Sequence, residues 1–385
     1  MTRLRLLQVT EDLGMGGLEQ VVATICRNVD RERFEPAVVC LRNKGPLADQ
    51  LEDEGVRVFL LDSPPGKPDY FAFRRVARLI RERGFDVVHT HNTQAFMDGG
   101  LGAKLAGVPT LVHTDHARIF PDKRRYMFAE HVLSHLAYRV VGVSEDTSAN
   151  LVRYEKISRE KLLTIPNGID GRRYNVTVDA AAKRRELGLP AEGPVIGLGA
   201  RLTPQKGLIH LLRAMAVLQQ RVPNLSCVIA GEGELDAELK SAARELGVDD
   251  RVRFVGMRLD LPQLLKVFDL YVLPSEWEGL PMAILEAMGS GCPIVATDVG
   301  GLRTAIESDV NGRLVPPRDP QALADAIAGL LASPETRRRY AAEAKGTFHE
   351  RFSAEAMTRR YEKLYLRQAE RVTRTSMQTA LRAAY

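Results

Sequence analysis

A chain of 385 residues, 45% hydrophobic and 27% charged, is long enough for two domains with full cores, and its composition is ordinary for a globular protein. A net charge of +5 is too mild to demand nucleic acid, and no nucleic-acid module signature is visible. No apolar run approaches the ~18 residues that span a bilayer, and the short run after Met1 reads as too brief for a signal peptide. The scattered cysteines Cys26, Cys40, Cys227 and Cys292 form neither a metal spacing nor a disulfide framework, so a reduced, cytoplasmic protein is expected.

In chain order, 4–9 reads as a buried strand. It is followed by the turn Gly14-Met15-Gly16-Gly17 and a helix over about 18–28. A strand, a Gly-rich turn and a helix make a phosphate cradle, although a tight turn without a ligand has the same appearance. Glu19 stands where the dinucleotide fingerprint G-x-G-x-x-G needs its last glycine, which disfavours a nicotinamide dehydrogenase. Strands over 37–41 and 56–61 flank a helix at 46–54. The helix predicted over 71–83 carries five arginines and an apolar stripe. It is either a solvated charged face over a core stripe or a contact for an acidic membrane surface.

Strand ends follow at 86–89, before His91, and at 110–113, before Asp115 and His116. Strand C-termini in open α/β sheets are where ligands bind. His89 and His91 are read as alternating across their strand and so as not converging on one ion. His131 and His135 share a helix face, but there is no His-Glu-x-x-His pattern. Lys123, Arg124 and Arg125 form a small basic cluster, and 140–143 closes the first half of the sheet. Residues 164–170 run from a strand into a turn. The polar, alanine-rich stretch at 172–193 is placed as the domain linkage, giving domains over 1–172 and 173–352 and a final segment over 353–385.

The second half opens as the first does. A strand over 195–200 ends at Arg201, and Lys206-Gly207 precedes a helix over 208–220. A guanidinium and an ammonium beside a helix N-terminus suit a diphosphate; surface charge on a loop is the plainer reading. A strand over 225–230 ends in Gly231-Glu232-Gly233. A helix over 235–246, a strand over 252–255 and a short helix over 261–268 lead to the stretch 277–288. There Glu278 lies outside a helix start, Pro281 in its first turn and Glu286 farther inside, with Gly289 and Gly291 ending it. Glu286 shares its face with apolar or small residues. Two carboxylates beside a helix-start anion site ask for a ligand that is part phosphate and part polyol. Asp298-Val299-Gly300-Gly301 is a further Gly turn, and 353–368 a long amphipathic helix before a tail that reads as frayed. Strand–helix alternation predicts an α/β protein of parallel sheets: two Rossmann-like domains facing across a cleft.

In these residues the chain resembles the retaining GT-B glycosyltransferases of family 4. The likeness runs through Gly16-Gly17-x-Glu19, Asp86-Val87-Val88-His89-x-His91 and Pro166-Asn167-Gly168-Ile169-Asp170. It continues through Arg201 with Lys206-Gly207, Gly231-Glu232-Gly233, and Glu278-Gly279-Leu280-Pro281-x4-Glu286-Ala287-Met288 with Gly291-x-Pro293. The resemblance implies a GT-B fold whose last helix crosses back to the first domain. It implies a hexosyl transfer from a nucleotide sugar, UDP more often than GDP, to a glycan or lipid-linked acceptor, with no metal or other cofactor and no nucleic acid. Arg201 and Lys206 would neutralise the leaving diphosphate, and Glu278 would accept sugar hydroxyls. Glu286 would grip the ribose, and His116 would touch the donor sugar, with His113 the competing assignment. The other implied donor-binding residues are Gly16, Gly17, Gly231, Gly256, Arg258, Gly279, Leu280 and Pro281. One departure is Thr304, near the position where the family usually has a glutamate after the Gly-Gly turn.

The alternatives are a non-catalytic nucleotide-sugar-binding subunit of the same fold and a nucleotide-sugar epimerase. A paired-carboxylate hydrolase is disfavoured because Glu286 would be occupied by ribose. The expected location is cytoplasmic, with membrane association through the 71–83 helix.

Overall fold

A computed structural model describes residues 3–61, 69–116 and 120–383. The chain divides into two compact units, residues 1–168 with 354–385 and residues 169–353.

The first unit is built on β1 (Leu4–Thr10), β2 (Phe34–Cys40), β3 (Arg57–Leu60), β4 (Val87–His91), β5 (Thr110–Asp115), β6 (Arg139–Gly142) and β7 (Leu162–Thr164). They form one sheet in the order β3-β2-β1-β4-β5-β6-β7, with every pair parallel. The second unit carries β8 (Val195–Gly199), β9 (Ser226–Ala230), β10 (Val252–Phe254), β11 (Leu270–Leu273), β12 (Ile294–Thr297) and β13 (Arg313–Val315). Their order is β10-β9-β8-β11-β12-β13, again all parallel. Strands such as Leu270–Leu273 and Ile294–Thr297 are buried along their whole length because helices cover both faces, which is why they read as unbroken apolar runs. In each sheet the order reverses once, between β1 and β4 and between β8 and β11. The carboxyl ends at such reversals are where open α/β sheets hold ligands.

The domain boundary placed at 172 falls inside a 3-10 turn, Gly171–Tyr174, that belongs to the second unit. Asp170 caps this turn through the Arg172 N–H at 3.0 Å. The linkage stretch also holds a helix, Ala180–Glu186, capped by Asp179. The last helix runs Ala354–Ala383, so the tail does not fray at 372; no glycine or proline interrupts it. Its Tyr361 and Tyr365 are buried in the first unit. The helix expected over 261–268 is cut to Leu261–Leu264. Pro281 caps the helix Met282–Ser290 from outside, Gly289 lies within it, and Gly291 alone ends it in a left-handed conformation.

Candidate functional site

At the β8/β11 reversal the structure ties the predicted residues to one another. Gly207, with φ of 57°, opens the helix Leu208–Arg221. A side chain there would run into the Pro274 carbonyl, so glycine lets the loop after β8 lie against the loop after β11. That approach brings Lys206 Nζ to 2.6 Å from Glu278 Oε1, which also accepts from Ser275 Oγ at 2.8 Å. Glu278 Oε2 accepts from Gln205 Nε2 at 3.2 Å. Glu278 is buried, with side-chain exposures of 4% for it and 17% for Lys206. The carboxylate expected to face the sugar and the ammonium expected to face the diphosphate are joined in one part-buried ion pair. Arg201 differs: it is exposed and makes no ion pair among the described residues. The loop after β12 completes the wall. Gly300, at φ of 46°, sits against the Glu278 carbonyl, to which the Gly301 N–H donates at 3.1 Å. Gly279, Leu280 and Pro281 connect Glu278 to the helix start, with Leu280 in the core.

Glu286 is not open on both oxygens. Its Oε1 accepts from the Tyr174 hydroxyl at 2.8 Å, and burial raises its carboxyl above the ordinary range. Gly231 donates its N–H to the Gly256 carbonyl at 2.7 Å, joining the loops after β9 and β10. The Arg258 guanidinium is committed to Asp260, at 2.7 Å through both Nε and Nη2, and to Glu186. Of the 256–258 segment, Met257 stands outward and exposed.

At the β1/β4 reversal, Gly16 caps the helix Gly17–Asn28, whose first turn carries Glu19. That carboxylate folds beside Gly16, where its charge suits the helix start. His89 and His91 do not alternate: two positions apart on a strand they share a face, and their ring centroids are 4.2 Å apart. His91 Nδ1 lies 3.1 Å from His116 Nε2, and His91 Nε2 lies 2.7 Å from Gln8 Oε1. Burial pushes His116 down to about 3 and His91 well below the usual imidazole range, so both rings are neutral. His113 goes elsewhere, stacked on Phe96 at 3.8 Å with Nδ1 on Thr90 Oγ1 at 3.0 Å. Of the two competing histidines, His116 is therefore the one at the reversal.

His113, Asp115 and Glu130 offer ligand atoms within 4.8 Å of one another. All three have further contacts, and no metal role is assigned to them. The ring nitrogens Nδ1 of His131 and His135 are each spent on a backbone carbonyl, Glu155 at 2.9 Å and His131 at 2.9 Å.

Ser275, Gln205 and Tyr174 escaped the sequence reading. The first two adjoin Glu278 and Lys206 and were within reach of it. Tyr174 is 112 positions from Glu286 and carried no signal.

The two sheets are those of the GT-B fold. HepE of Anabaena, solved in complex with UDP and glucose, superposes with a TM-score of 0.82 at 25% identity, over 94% of this chain and 99% of that one. Residues 179–347 match the model for glycosyl transferases group 1, and residues 15–173 that for glycosyltransferase family 4. The chain is 33% identical over 284 residues to the D-inositol 3-phosphate glycosyltransferase of Xylanimonas cellulosilytica, covering 69% of this chain and 68% of that protein. It is 28% identical over 327 residues to the UDP-Gal:alpha-D-GlcNAc-diphosphoundecaprenol alpha-1,3-galactosyltransferase of Escherichia coli, covering 81% and 84% respectively. The chain belongs to the family 4, group 1 glycosyltransferases, and is a glycosyl-transferring enzyme.

Proposed function

We propose that the protein transfers a hexosyl group from a UDP-sugar to a glycan or lipid-linked acceptor, with retention at the anomeric carbon and without a metal. The observation that carries this reading is the cationic helix start at the β8/β11 reversal, where Lys206 at the Leu208–Arg221 N-terminus stands beside Glu278 and Arg201 lies exposed in the same loop after β8. The choice of UDP draws on HepE, solved with UDP and glucose, and the choice of acceptor on the Escherichia coli relative, named for a diphosphoundecaprenol-linked sugar.

In this mechanism the C1–O bond to the diphosphate breaks and its electron pair passes to the leaving phosphate. Arg201, Lys206 and the helix dipole stabilise that charge more strongly in the transition state than in the ground state. The acceptor hydroxyl attacks C1 from the leaving-group face and gives its proton to the departing phosphate oxygen. Glu278 then has two tasks. It holds Lys206 in place, and its remaining lone pairs accept sugar hydroxyls. Glu286 accepts from the ribose diol through Oε2, with Oε1 held by Tyr174. Gly16 and Gly17 meet the distal phosphate, the Gly231 and Gly256 loops meet the base, and His116 meets the donor sugar.

A membrane-bound acceptor agrees with the helix Ala72–Arg83. Tyr70, Phe71 and Leu105 are exposed, Arg74 lies over the Phe71 ring at 4.9 Å, and Arg78 is exposed. Arg75 is spent on Asp69 and Arg81 on the Leu105 carbonyl. Among the described residues no helix is long and apolar enough to cross a membrane. Binding to anionic vesicles at low salt tests the contact; indifference to them removes it. The reaction itself is tested by a donor screen that follows slow hydrolysis of UDP- and GDP-sugars with excess EDTA and reads the product anomer by NMR. An α-sugar released first from a UDP-α-sugar is expected. A β-product, a GDP preference or dependence on added metal contradicts the corresponding part.

A further inference from the structure

We propose that the carboxyl end of β4 is a positioning device for His116. Asn92 holds its backbone. His91, backed by Gln8, fixes its ring as the tautomer protonated on Nε2, which leaves Nδ1 as an acceptor for a substrate hydroxyl. The inference rests on the reading above, that His116 meets the donor sugar.

Asn92 has φ of 64°, a left-handed conformation rare outside glycine and tolerated best by Asn and Asp. Such strain persists where the surroundings determine it, often at functional sites. Here it aims Asn92 Oδ1 at the next strand, where it accepts the His116 N–H at 3.1 Å. The ring is held separately. The contact of 2.7 Å from His91 Nε2 to Gln8 Oε1 is an N–H···O bond, so Nε2 carries the His91 proton. A neutral imidazole has one N–H, and His91 Nδ1 is then an acceptor. At 3.1 Å from it, His116 Nε2 must be the donor. That leaves the His116 proton on Nε2 and the lone pair on Nδ1, to which no described residue bonds.

The support for this chain of bonds is itself bonded. His89, packed on His91, lies 2.8 Å from the Tyr365 hydroxyl and 2.7 Å from Thr114 Oγ1, which in turn lies 3.0 Å from the Tyr361 hydroxyl. β1, β4, β5 and the last helix thus brace one ring orientation, and these side chains are buried. A lone-pair acceptor takes a hydrogen bond from a hydroxyl and repels a phosphate oxygen. His116 therefore reads the sugar, not the diphosphate.

The test is long-range 1H–15N NMR on the full chain labelled with 15N-histidine, His116 being assigned through His116→Gln, together with donor turnover. The wild type is expected to show His116 protonated on Nε2. His91→Leu, which removes the acceptor, is expected to lower kcat about 10–100-fold with little change in donor KM. His91→Asn, which keeps an amide oxygen near the Nδ1 position, recovers most of it. Asn92→Gly, compatible with the left-handed backbone, lowers kcat in the same manner, and Asn92→Asp less. Should His91→Leu fail to fold, the wild-type spectrum and the Asn92 pair still decide. A wild-type His116 protonated on Nδ1 overturns the proposal, as does equal loss in His91→Leu and His91→Asn with the fold retained. An Nε2 proton in a protein whose turnover is indifferent to His116→Ala overturns the donor-sugar reading and leaves the tautomer standing.

Discussion

The two sheet reversals share a topology and differ in chemistry. At β8/β11 the polar groups are charged and paired, Lys206 with a buried Glu278, and a further cation, Arg201, is left exposed. At β1/β4 they are neutral, a row of buried imidazoles in which His91 hydrogen-bonds His116 and packs on His89. On the function proposed above, the charged end meets the anion and the neutral end meets hydroxyls. A parallel sheet supplies two such places without specifying what fills them, and the loops after each strand do the rest.

Breaking the charged end costs most. Lys206→Ala leaves the buried Glu278 carboxylate with only the neutral donors Ser275 and Gln205, so a loss of about 2–3 kcal/mol in denaturant unfolding is expected, together with a fall in turnover of about 100-fold or more. Arg201→Ala separates the two effects. Because Arg201 is exposed and has no ion pair among the described residues, stability should stay within about 0.5 kcal/mol while turnover falls by a comparable factor. A matching loss of stability would mean that Arg201 is structural.

Smaller effects sharpen the contrast. Tyr174→Phe removes one hydrogen bond to Glu286 and should cost about 0.5–1.5 kcal/mol in unfolding, with weaker donor binding in titration calorimetry. The neutral end predicts a pH response. His89, His91 and His116 have folded pKa values below the ordinary value near 6.5. Above about pH 6.5 they are neutral in both states and contribute nothing. Below it the unfolded chain takes up protons that the folded chain refuses, so stability falls as pH falls. Calorimetric melting between pH 7 and 4.5 should show this slope, and it should be shallower in His91→Asn. An unchanged slope would mean that the carboxylates alone set it.

Much of this was legible in the sequence. Alternating apolar runs and Gly turns marked the parallel sheets, and the stretch from Glu278 to Met288 marked a carboxylate at the β8/β11 reversal. What escaped was pairing. A sequence shows that Lys206 and Glu278 are both near a helix start, not that the glycine at 207 brings them within 2.6 Å. His89 and His91 were read with the wrong strand period, and that hid the histidine row. Gln8, Tyr361 and Tyr365 join that row over separations of 83 to 276 positions, which no local pattern reports. Tyr174 sits in a turn that reads as linker.

The most direct test of this division of labour is the UDP dissociation constant of two variants beside wild type, Arg201→Ala and His116→Ala, measured by calorimetry with turnover in parallel. The account predicts that Arg201→Ala weakens UDP at least about tenfold. His116→Ala should bind UDP as wild type does and lose turnover. UDP binding that is unchanged in Arg201→Ala, or lost in His116→Ala, would contradict it.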